Sequence, residues 1–73
     1  MENKTITFKD SDGLGIPNVT VISDIHGSQT TGSDGSVVFR PDKDQSFTLD
    51  ETTAPPTEIA KVETNFVFKT IYS

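Results

Sequence analysis

The chain has 73 residues and a mass of 7.9 kDa, which leaves room for one small domain. Six Lys/Arg against eleven Asp/Glu give a net charge of −5, a surface that repels phosphate and argues against nucleic acid and anionic membrane as partners. There is no cysteine, so disulfides and thiolate metal centres are excluded, and no apolar run approaches the roughly eighteen residues that a membrane-spanning helix needs.

Met1 to Thr5 lack the apolar core of a signal peptide, so the sequence is expected to carry no export signal of its own. In a domain of this size, apolar burial and the entropy of ordering the chain nearly cancel. A staple is therefore expected, and a metal, a cross-link or a neighbouring molecule are the remaining kinds.

Composition favours strands. There are eleven Thr and seven Ser, while Ala occurs twice and Leu only at Leu14 and Leu49. Branched and aromatic residues suit a pleated surface, and helix formers are scarce. In chain order, Ile6 and Phe8 alternate with Thr5, Thr7 and Lys9 as a first strand. Residues 10–15 are turn chemistry, with short acceptor side chains and glycines, and Pro17 removes a ladder donor. Val19 to Ser23 is the second strand, Asp24 to Gly27 a turn, and Ser28 to Thr31 a short polar edge strand. Asp34-Gly35 is a hairpin signal, followed by Val37 and Phe39 in alternation. Pro41 to Asp44 break the chain. Phe47 and Leu49 mark a fifth strand, which Ala54-Pro55-Pro56 end. Ile59 to Val62 is a weak sixth strand, and Asn65 to Tyr72 a long seventh. Short strands at this spacing predict a single seven-stranded antiparallel β-sandwich over residues 5–73, with residues 1–4 as a flexible arm. The expected core is Ile6, Phe8, Val19, Val21, Val37, Phe39, Phe47, Leu49, Phe66 and Phe68.

Three segments share an order with a known family. Gly15-Ile16-Pro17-Asn18-Val19-Thr20-Val21 resembles the G-x-P-x-x-V-x-V opening of transthyretin-like and CnaB-type (collagen-adhesin B) domains. Residues 31–39, from Thr31 through Asp34-Gly35 to Phe39, resemble their T-x-x-D-G-x-x-x-F hairpin. Residues 46–55, from Ser46 to Pro55, resemble the CnaB run Y-T-L-x-E-x-x-A-P. The resemblance covers roughly Thr5 to Pro56. It implies an Ig-like, prealbumin-like sandwich that serves as a stalk or binding module rather than as an enzyme. Many such domains carry an isopeptide bond from a first-strand Lys to a last-strand Asn or Asp, promoted by a buried Glu. The resemblance places the Lys at Lys9 and the Glu at Glu51. The family's acceptor usually sits late in the last strand, where this chain has Thr70, Ile71 and Tyr72. Asn65 is the available acceptor after Glu51. The chemistry needs a neutral buried amine beside a protonated carboxyl.

Other chemistry has less support. The aspartates at 10, 12, 34, 42 and 44 invite a calcium reading, but the Asp10-Ser11-Asp12-Gly13 stretch has Val21 where a calcium loop needs its twelfth-position glutamate. His26 lies two residues from Asp24 and from Ser28, with no G-x-S-x-G elbow, so it reads as a loop histidine. Asn3-Lys4-Thr5 and Asn18-Val19-Thr20 fit the glycosylation sequon and read as Thr-rich strand sequence. No metal or cofactor is expected. The function expected is a non-enzymatic decoration or accessory component of a virion surface, on a phage capsid or tail. It would contact other structural proteins or copies of itself through Val67, Ile71 and Tyr72, with Ile22 and Val38 as further outward residues. The alternative is a stalk domain of a Gram-positive adhesin or pilin at the bacterial surface, which predicts the Lys9 cross-link. A small enzyme or ligand-binding protein has only the Asp-rich loops in its favour.

Overall fold

The computed structural model describes residues 2–42, 44–50, 52–53 and 58–68. Six strands follow in chain order: β1 (Lys4–Lys9), β2 (Thr20–Ser23), β3 (Gly27–Thr30), β4 (Ser36–Phe39), β5 (Phe47–Leu49) and β6 (Lys61–Thr64). They form two three-stranded sheets, ordered β4-β1-β6 and β3-β2-β5, and every pairing is antiparallel. Among the described residues there is no α-helix.

Alternation in sequence becomes alternation in burial, because successive strand residues point to opposite faces. Ile6 and Phe8 of β1 and Val37 and Phe39 of β4 turn inward from one sheet. Val21 of β2, Phe47 and Leu49 of β5, and Val19 just before β2 turn inward from the other, and these eight form one buried cluster. Burying a side chain of this size contributes about 1.5–3 kcal/mol. Phe47 links the layers: its ring lies 5.0 Å from Phe39, 5.5 Å from Phe66 and 6.1 Å from Phe68, all tilted, as aromatic pairs prefer.

The turns around Gly15 and Gly35 meet at one backbone junction. Phe8 N donates to Gly35 O and Ile16 N to Phe8 O. A Cβ on Gly15 would run into the Asp34 carbonyl. One on Gly35, at φ +76°, would run into the Phe8 carbonyl oxygen. Thr31 is buried beside them. Its Oγ1 accepts from Val19 N at 2.9 Å and donates to Ile16 O at 2.7 Å, so one hydroxyl supplies the partners that Pro17 and the turn deny the backbone.

The expectation of seven strands is corrected: the described residues form six. The sixth is displaced toward the C-terminus, to Lys61–Thr64, and the first begins at Lys4, inside the stretch expected as an arm. The expected seventh strand does not form over residues 65–68, and its remainder lies outside the described residues. The reason is local. Thr64 Oγ1 donates to the Phe66 carbonyl, which bends the chain as it leaves β6. Asn65 then pairs with β1 through its side chain: Oδ1 accepts from Thr5 N at 3.0 Å and Nδ2 donates to Asn3 O at 2.8 Å. The two phenylalanines still pack against the core, half-buried rather than enclosed, while Val67 faces out.

Candidate functional site

Lys9 stands at the end of β1, opposite Lys61 of β6. Its Nζ lies 2.9 Å from Glu63 Oε1, with both side chains over a third exposed. The hydrogen bond from Lys9, then the charges of Lys9 and Lys61, hold the Glu63 carboxyl below its ordinary value of 4.5. Asn65 sits opposite Thr5, four residues back along β1, which is about 13 Å at ~3.3 Å per residue. The structure thus does not bring Lys9 and Asn65 together, and Asn65 commits its amide to β1. Glu51 lies outside the described residues.

The aspartates act as turn fasteners. Asp10 Oδ1 accepts from the backbone N–H groups of Asp12 and Leu14. Asp34 Oδ1 serves Ser36, and Asp42 Oδ1 serves Asp44. Asp24 Oδ1 takes Ser46 N at 2.8 Å and ties the β2–β3 turn to the segment before β5. Asp50 Oδ1 accepts from both the hydroxyl and the N–H of Thr52, which hold this carboxyl below its ordinary value of 3.8. Among the described residues no three His, Asp or Glu converge on a cation position. His26 is exposed in the β2–β3 turn, where its backbone N–H donates to Ser23 Oγ.

Sequence patterning missed a buried polar link. Ser23 Oγ donates to Gln45 Oε1, and Gln45 Nε2 donates to Arg40 O at 2.9 Å. Ser23 is at an inward position of β2, and a Ser at an inward alternation position was the available signal. Glu63 was missed as the partner of Lys9, since only the strand register reveals that pairing.

A cleft of about 330 Å³ opens beside the start of β1, with Phe66 and Pro41 as apolar lining and Glu2, Lys4 and Asp42 as charged lining. Lys4 Nζ lies 4.9 Å from the Phe66 ring centroid, so the chain supplies its own cation to that aromatic face. Outward apolar side chains occur on both sheets: Ile22 on β2 and Val38 on β4. Val67 is 99% exposed between two phenylalanines that pack on the core. Ile71 and Tyr72 lie outside the described residues. No protein-family model, curated protein or solved structure matches the chain.

Proposed function

We propose that the chain is a non-enzymatic interaction module: an Ig-like, prealbumin-like sandwich of the CnaB type that decorates a virion surface and contacts other structural proteins or copies of itself. The observation that carries this reading is Val67. A branched apolar side chain stands fully in solvent while its neighbours Phe66 and Phe68 anchor the segment to the core, an arrangement that presents an apolar residue on a fixed base. Covering such a residue in an interface removes its surface from water. The acidic turn residues support the non-enzymatic part, because their carboxylates accept hydrogen bonds from their own turns. The net charge of −5 points away from nucleic acid and anionic membrane.

The test is mass-spectrometric detection of the chain in purified particles of the virus that encodes it, followed by rebinding of the isolated chain to particles lacking it. The expected result is a protease-accessible surface component whose rebinding drops when Val67 is changed to Asp. Absence from particles, with recovery from a bacterial wall fraction, would overturn the virion reading in favour of the stalk. Intact mass separates the same two readings. A Lys9–Asn65 isopeptide would remove one ammonia, and the separation of the two residues along β1 predicts the unmodified mass.

A further inference from the structure

Among the described residues β3 lies at the edge of its sheet, and all four of its residues are exposed. The hydrogen bonds on either side of β2 show which way its backbone groups point. Toward β5, Asp50 N donates to Thr20 O and Asp24 N to Ser46 O. Toward β3, Thr31 N donates to Val19 O. Even residues of β2 therefore bond to β5 and odd residues to β3, as an antiparallel ladder requires. With Val21 opposite Gln29 and Ser23 opposite Gly27, Gln29 spends its N–H and C=O on β2. Ser28 and Thr30 direct theirs away from the sheet.

The other edges carry protection that β3 lacks. β6 has Lys61 and Glu63, β5 is three residues long, and β4 runs into Arg40 and Pro41. Charge, brevity and proline are the usual devices that keep sheet edges apart. Gly27-Ser28-Gln29-Thr30 has no charge and no proline.

We propose that β3 is a self-association edge, on which a second copy of this chain pairs its own β3 antiparallel about a two-fold axis through Gln29. This deepens, and rests on, the interaction-module reading. The donor and acceptor pattern argues for a second copy. With Ser28 of one chain opposite Thr30 of the other, each residue gives its free N–H and accepts at its free C=O, so four reciprocal bonds form and close a symmetric pair. The strand is uncharged, so pairing sets no like charges opposite one another despite the net charge of −5. The β3-β2-β5 sheet then continues into the same sheet of the second copy, while the β4-β1-β6 sheet is left as it is.

The register makes a sharp test, because Gln29 faces Gln29 across the axis at a position where side chains approach closely. Sedimentation equilibrium of the full chain from about 10 μM to about 1 mM spans the range of a weak strand-edge contact, and wild type should show a monomer–dimer equilibrium. Gln29→Lys and Gln29→Glu should each weaken it about five- to tenfold by like-charge opposition. Mixing the two variants should restore or exceed the wild-type association. Gln29 is exposed, so both variants should retain the wild-type melting temperature, and Ser28→Pro, which removes one outward donor, should weaken pairing as well. A wild-type chain that stays monomeric throughout, or a dimer that ignores the charge swap, would overturn self-pairing. A monomer that still rebinds particles would do so while leaving the module reading intact.

Discussion

At the scale of single residues, most of the polar side chains that invite a functional reading serve the backbone. Asp10, Asp34, Asp42 and Asp50 each close a turn by accepting an N–H two residues on, the local alternative to a ladder that short acceptor side chains offer. Gly35 is a harder constraint. Its left-handed φ and the Phe8 carbonyl beside it exclude a methyl group on two counts, whereas Gly27 has a left-handed φ and open space. Gly27→Ala should cost about 1 kcal/mol, the conformational penalty alone. Gly35→Ala should cost about 3 kcal/mol or more. Urea unfolding of both variants checks this, and equal costs would contradict the junction described here.

Glu63 makes a prediction about pH. Its carboxyl is held below 4.5 by Lys9 and Lys61 in the fold, so it binds its proton more weakly folded than unfolded. Such a group adds stability that is fully present above the unfolded-state pKa and is lost as pH falls through the lower folded value. Wild type should therefore exceed Glu63→Gln in urea midpoint at neutral pH. The gap should close on acidification through the glutamate range, and it should also narrow in high salt, since the pair is exposed. A gap that widens in acid would contradict the sign.

At the scale of elements, the strands that were legible are those with a clean period of two. Ile6/Phe8, Val37/Phe39 and Phe47/Leu49 were placed because an apolar residue at every second position has one way to face a core. The C-terminal segment departs from its period of two: Phe66 and Phe68 alternate just as in a strand, yet residues 65–68 form none. The bend after Thr64 is set by a hydroxyl-to-carbonyl bond and by the side chain of Asn65, which periodicity does not register. Lys9 and Asn65 stand apart for a related reason. Sequence order puts Lys9 and Asn65 on neighbouring strands, but register puts them at opposite ends of β1. Asn65 itself proves to be the ladder's last rung. Asn65→Ala should cost about 1–2 kcal/mol through its two lost bonds. Asn65→Asp should cost more above the carboxylate pKa than below it, because an anionic oxygen then faces the Asn3 carbonyl. Thermal melts of both at neutral and acid pH check this, and identical melts at every pH would remove the role assigned to the amide.

At the scale of the whole molecule, two sheets of three strands enclose eight buried apolar side chains. That is a small interior for a chain without disulfides, and it explains why strand edges and outward apolar residues carry the functional interest. The all-β class was readable from composition and spacing. The pairing order was not, because β4-β1-β6 and β3-β2-β5 depend on contacts between distant segments. Among the described residues β3 is bonded on one side only, to β2. Residue-resolved amide exchange measures that directly: in dilute solution Gln29 and Thr31 should exchange slowly, while Ser28 and Thr30 exchange near the rate of an open chain. Slow exchange at Ser28 and Thr30 at the lowest concentration, or fast exchange at all four, would contradict it.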